Sequence, residues 1–139
     1  MSVFEMQEQD RADWDEYVRH SPQASVYHLS GWKDVMSGTF GLPAHYLFTR
    51  EKARITGILP LLHIDSRLSG HRFSSMPGAL CAEDQESALA LFERAMELVT
   101  AHGAKYLIMR DGRRKWDLPG VVTNEDHCEA VIRFENGCR

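Results

Sequence analysis

Cysteine is scarce in this chain: Cys81, Cys128 and Cys138 are its only three, odd in number and widely spaced. They form no C-x-x-C pair and build no disulfide framework, so reduced thiols are expected. An excess of basic charge is missing too. Sixteen Lys and Arg stand against twenty Asp and Glu, a net charge of -4 with a pI of about 5.9. Nucleic-acid modules gather positive charge on one face, and this balance does not suggest one. The single basic run, Arg110 to Lys115, reads as a solvated loop following a strand. Long apolar runs are absent as well. Ile58-Leu59-Pro60-Leu61-Leu62 is the longest, far short of the roughly 20 residues that span a bilayer. Met1 to Met6 has neither a basic start nor an apolar core, so no signal peptide and a cytoplasmic location are expected.

What is present is ordinary globular material: 139 residues, 43% hydrophobic and 26% charged. That length predicts one domain over 1–139, with a core that needs no staples. Trp14, Tyr17 and Val18 recur at helical spacing between Asp10 and His20, and Pro22 stops that helix. Ser30 reads as the N-cap of a second short helix with Trp32, Val35 and Met36 on one face. Gly38 and Gly41 end it. Ala44–Arg50 and Ala53–Ser66 form the clearest hairpin, although its connection lacks an Asn-Gly turn. Gly57 and Pro60 within the second strand predict a bulge, or a point where the strand leaves its neighbour. His71–Ser75 is a third strand.

Asp84 to His102 carries an apolar stripe through Ala88, Leu91, Phe92, Ala95, Leu98 and Val99, capped by Asp84 and stopped by Gly103. Tyr106–Met109 reads as a buried strand reached by a helical crossover. Trp116 to Asp126 is loop-like, and Ala130–Phe134 is a last strand. The order β-α-α-β-β-β-α-β-loop-β is an α/β (α+β) mixture.

Direct signals of chemistry are few. The seven histidines are scattered, without H-x-H or H-E-x-x-H spacing, so no metal site is expected. No nucleophile elbow or phosphate loop occurs, and no catalytic residue is assigned. Glu83, Asp84 and Glu86 cluster at a helix start, where they stabilise it through the dipole. Trp14 and Trp32 read first as core anchors. His28, just ahead of the second helix, is the best candidate for a cleft residue.

The set Trp14-Asp15-x-Tyr17-Val18, Ser21-Pro22 and His28-x-Ser30-Gly31-Trp32-x-x-Val35 resembles the N-terminal half of FemAB-like transferases, particularly the exosortase/PEP-CTERM-associated type. The hairpin Tyr46-Leu47-Phe48 with Ile58-Leu59-Pro60-Leu61, then Ser66-Arg67-Leu68-x-Gly70 and Gly103-Ala104-x-Tyr106-Leu107 before Arg110, extends the likeness over residues 3–115. The resemblance implies a GNAT-like mixed central sheet flanked by about three helices. It also implies acyl or aminoacyl transfer onto cell-envelope precursors, with aminoacyl-tRNA donating to a lipid- or nucleotide-linked muropeptide in one branch. The family's enzymes use two GNAT-type halves, and this chain is long enough for one.

The acceptor-side Lys of the family falls on Met36 here, and Arg110 matches a strand-end Arg that either points into a cleft or pairs with an acidic neighbour. His28, Trp32, Lys33 and Arg110 are therefore the candidate substrate contacts. GNAT enzymes hold the coenzyme A pyrophosphate on an Arg/Gln-x-x-Gly-x-Gly/Ala loop at a helix N-terminus, because unpaired amides and the dipole favour anions there. Arg67-Leu68-Ser69-Gly70-His71-Arg72 is the only approximation, and it reads better as a hairpin turn, so no cofactor is expected.

Two functions follow. One is a partner-dependent or silent module, paired with a second GNAT-like half or with itself in a homodimer, and serving acceptor binding or assembly on an anionic cell-envelope precursor. The other is an active N-acyltransferase using acyl-coenzyme A or aminoacyl-tRNA.

Overall fold

Alternation along two long strands sets the architecture, because successive side chains of a strand point to opposite faces of its sheet. In the computed structural model, which describes residues 2–66, 70–110, 116, 118, 119, 122–124 and 129–133, the chain opens with β1 (Val3–Glu5), α1 (Arg11–His20) and a 3-10 turn at Val26–His28. Next come α2 (Gly31–Phe40), β2 (Ala44–Glu51), β3 (Arg54–Ser66), β4 (Gly70–Ser75) and the two-residue β5 (Cys81–Ala82). The helix α3 (Gln85–Ala101) crosses over to β6 (Tyr106–Arg110), followed by β7 (Val122–Asn124) and β8 (Glu129–Arg133). The strands form one sheet in the order β1-β2-β3-β4-β6-β8-β7, with β5 pairing β3. Among the described strands only β4 and β6 run parallel, as a helical crossover requires. Among the described residues the fold is thus a mixed central sheet with three α-helices, as expected from the sequence.

Even-numbered residues Tyr46, Phe48, Ile58 and Leu62 join Trp14 and Val18 of α1 in one core. Odd-numbered Leu47, Leu59, Leu61, Phe73 and Leu107 join Leu91, Phe92, Ala95 and Val99 of α3 in the other. The register shifts between Thr49, opposite Gly57, and Arg50, opposite Ile55, so Thr56 is the extra residue of a bulge. The bulge inverts the parity of β3, and Ile55 consequently packs with the α1 core rather than beneath α3. Thr56 Oγ1 lies 2.9 Å from Thr49 Oγ1 and accepts from Ser87 Oγ at 3.0 Å, which satisfies three buried hydroxyls between sheet and helix. A side chain at Gly57 would place its β-carbon 2.9 Å from Leu91 Cδ1, so glycine lets α3 approach closely. Pro60, which lacks an N–H, sits where β3 changes its outer neighbour from β5 to β4.

Several details differ from the sequence reading. The hydroxyl of Ser30 does not cap α2; it donates to Asp15 Oδ2 at 2.8 Å, while the Ser30 N–H donates to Oδ1 at 2.7 Å. Helix α2 runs through Gly38 and ends on Gly41 in the left-handed conformation, with φ 66°. β5 had no sequence signal at two residues, and β7 lies within the stretch read as loop. Ser66 pairs with Gly70 across the β3–β4 hairpin, as the turn reading required. Arg67, Leu68 and Ser69, the basic residues 113–115, Cys128 and Cys138 lie outside the described residues.

The largest correction concerns His28. Expected in a cleft, it is fully buried. Its Nδ1 accepts from the Ser25 N–H at 3.0 Å and its Nε2 donates to the Ala79 carbonyl at 2.9 Å, which fixes the tautomer. The Trp14 indole N–H donates to the His28 carbonyl at 2.7 Å. Gly78, with φ 100°, lies against the ring, and a β-carbon there would stand 2.2 Å from His28 Cε1.

Two substitutions test this contact. His28→Ala strands the Ser25 N–H and the Ala79 carbonyl and should destabilise the fold by about 2–4 kcal/mol in urea unfolding. Gly78→Ala should cost about 2–4 kcal/mol through overlap and backbone strain. In the His28→Ala background the overlap disappears, so the second substitution should cost at least ~1 kcal/mol less there. Additive losses would show that ring and glycine do not constrain each other.

Candidate functional site

Of the four candidate contacts, His28 and Arg110 meet on opposite sides of Gly78. The His28 ring packs on that glycine, and the Gly78 N–H donates to the Arg110 carbonyl at 2.8 Å. Arg110 ends β6 exposed. Its backbone N–H donates to Ser75 Oγ at 2.9 Å, and its guanidinium Nε donates to Ser74 Oγ at 3.3 Å. This is where β4 and β6 part: their ladder ends at Ser74 opposite Ile108, and side-chain hydroxyls continue it. Trp32 and Lys33 sit half-buried on α2. The Trp32 ring packs on Tyr27 with centroids 5.5 Å apart. The four residues therefore divide between a buried latch, the end of a strand and the flank of a helix.

A groove of about 460 Å3 opens between α1 and the β2–β3 turn. Asp13, Glu16, Tyr17, Gln23, Arg54 and Glu83 line it. Arg54 pairs with Glu83 and Arg50 with Asp13, so the local cations are matched by carboxylates. Burial pushes the Tyr17 phenol well above its ordinary range and keeps it a proton donor. Glu16 pairs with Arg19 in turn, so the lining is close to charge-balanced.

The helix starts carry the same sign. Asp13 lies in the first turn of α1, Asp34 in that of α2 and Glu86 in that of α3. At α3 the Asp84 carboxylate accepts from the Ser87 N–H at 2.7 Å, occupying an amide that a phosphate would otherwise use. Among the described residues every α-helix N-terminus is thus already furnished with its own carboxylate.

The residues that sequence reasoning passed over are histidines. Their scatter along the chain does not persist in three dimensions: His45 of β2, His63 of β3 and His102 at the C-cap of α3 converge around Phe73, and His71 of β4 adjoins His63. His63 and His71 bring their Nε2 atoms into hydrogen-bond contact. The rings of His45, His63 and His102 lie 5.7, 4.6 and 5.5 Å from that of Phe73. Burial first, then the neighbouring histidines, pushes the His63 imidazole below its ordinary value and keeps it neutral. The odd numbering of the three strand histidines was the available signal, because it places them on the α3 face. Reading it required the register.

No family model matches the sequence, and no curated protein matches it. Solved structures do resemble it. FemX superposes with a TM-score of 0.66 at 17% identity, covering 79% of this chain and 27% of FemX. A GNAT family acetyltransferase from Brucella melitensis, in complex with acetyl-CoA, gives a TM-score of 0.63 at 12% identity over 96% of this chain and 87% of its own. The GNAT family N-acetyltransferase YhbS from Escherichia coli, in complex with CoA, gives 0.63 at 14% over 95% and 80%. This chain therefore spans about a quarter of FemX and most of a single-domain GNAT protein. Among the described residues no helix is long and apolar enough to cross a membrane. At these identities the likeness defines the fold, and the fold is that of the GNAT acetyltransferases.

Proposed function

We propose that this chain is an acceptor-side GNAT-fold module, akin to one half of a FemAB-like transferase, which binds an amine-bearing cell-envelope precursor and transfers nothing by itself. The observation that carries this reading is the carboxylate at each helix start, above all Asp84 on the first turn of α3. An acyl-coenzyme A would bring its pyrophosphate into that negative field. The groove beside α1, with the Tyr17 phenol and three ion-paired carboxylates on its walls, supports the acceptor role as a cleft able to receive such a precursor. The likeness to FemX, 27% of whose length this chain spans, supports kinship to one part of a larger transferase.

A second reading keeps one specific observation on its side: the likeness to single-domain GNAT proteins spans most of their length, and the two compared above were solved with acetyl-CoA and CoA. On that reading the chain is an active N-acyltransferase, with its donor at the parting of β4 and β6. Thermal unfolding with each ligand separates the two. A nucleotide-linked muropeptide with a free amine should stabilise the protein, by about 2.7 kcal/mol at a hundredfold excess over its dissociation constant, and acetyl-CoA should leave it unchanged. Stabilisation by acetyl-CoA would establish the second reading in place of the first. Indifference to the muropeptide would remove the acceptor role.

Val26, Tyr27, Val35 and Phe40 stand exposed on the 3-10 turn and α2, next to the half-buried Trp32. Apolar surface of that kind favours association, and we assign it to a second copy or a second half. Light scattering at tens of micromolar should report a homodimer. Val35→Lys together with Phe40→Lys should return it to monomer with its unfolding midpoint preserved. A monomeric parent protein would refute the pairing.

A further inference from the structure

We propose that His45, His63 and His102 form a binding site for a zinc-class divalent ion at the end of the sheet beneath the C-terminus of α3. One ring nitrogen from each lies within 4.8 Å of the others. Zinc bound to three imidazoles at about 2.0–2.1 Å holds their nitrogens roughly 3.3 Å apart, so modest ring rotation closes the site. His102 is exposed, which gives it room to move and gives an ion a path in.

The surroundings prepare two of the three ligands. His45 Nδ1 meets Glu5 Oε1 at 2.6 Å, and His102 Nδ1 donates to the Leu98 carbonyl at 2.9 Å. With Nδ1 held as a donor, the nitrogen left with a lone pair is Nε2 in each ring. Metal-binding histidines are oriented in this way, by a carboxylate or carbonyl on the opposite nitrogen. His63 lies on β3 with its ring stacked on Phe73 at an interplanar angle of 3°, which fixes its plane. His71 touches it through Nε2. Water as a fourth ligand completes a tetrahedron.

Charge adds to the case. The last carbonyls of the seventeen-residue α3 present the negative end of its dipole beside His102. Glu5 contributes a carboxylate behind His45. An all-imidazole donor set suits zinc, copper or nickel and disfavours magnesium and calcium, which take oxygen.

The test uses the full chain, stripped with a chelator. Zinc titrated by calorimetry should bind at one ion per chain in the micromolar range or tighter, and cobalt should give the intense visible bands of a tetrahedral site. His102→Gln, at the exposed helix end, should weaken binding at least tenfold with its circular dichroism unchanged, and His45→Gln should do the same. Glu5→Gln should weaken it about 10–100-fold through His45. His20→Gln, on the exposed face of α1, should leave it intact. Magnesium should give no heat. Absence of saturable zinc uptake at millimolar concentration, or parental affinity in both His45→Gln and His102→Gln, would overturn the proposal.

Discussion

Gly78 has to be a glycine because the His28 ring occupies the space where its β-carbon would stand. Around that contact several separate parts of the chain are tied together. His28 holds the Ser25 N–H on one nitrogen and the Ala79 carbonyl on the other, its own carbonyl takes the Trp14 indole, and the Gly78 N–H continues to Arg110 at the end of β6. The His28 ring, the Trp14 indole and Ala79 are inside the protein, where an unmet hydrogen bond costs about 1–3 kcal/mol. The imidazole is a good tie because its two nitrogens differ, one accepting and one donating, so it joins an amide to a carbonyl without a net charge.

The same economy appears across the sheet. The bulge at Thr56 does two things at once: it turns Ile55 into the α1 core, and it aims a hydroxyl at Thr49 and Ser87 under α3. An extra residue in a strand necessarily inverts the alternation beyond it. Here that inversion lets the short segment after the hairpin turn face α1 while the middle of β3 serves both cores. Gly57 beside it lets the helix come close enough for Ser87 to reach. Removing the glycine would separate the hydroxyls as well as crowd Leu91, which links a packing feature to a polar one.

Much of this was legible in the residues. The stripe from Ala88 to Val99, between Asp84 and Gly103, defines α3 to within a residue at each end. The apolar runs on either side of Lys52-Ala53 define the hairpin, with Lys52 itself taking the positive φ of 58° in place of an Asn-Gly turn. Gly57 marked the bulge. What could not be read depends on partners remote in sequence. Ser30 has the chemistry of a cap, but Asp15 claims its hydroxyl. His28 looks like a cleft residue until Gly78 and Ala79 are known to enclose it. The histidines of β2, β3 and β4 share a face only through the strand register, and His102 joins them only because α3 ends above that corner. Local pattern specifies elements well; it is silent on which elements end side by side.

Helix α3 also gathers the molecule's electrostatics along one axis. Its amide end, where a GNAT protein would receive an anion, is held by Asp84 with Glu83 and Glu86 nearby. Its carbonyl end rises over a cluster of imidazoles with Glu5 behind them. A helix dipole favours anions at its start and cations at its finish, and this sequence reinforces the second preference while satisfying the first with its own side chains. An anionic donor and a bound cation are thus not competing uses of the same helix. They lie at opposite ends of a rod about 25 Å long at 1.5 Å per residue, too far apart for a bound cation to offset the Asp84 carboxylate through screened solvent.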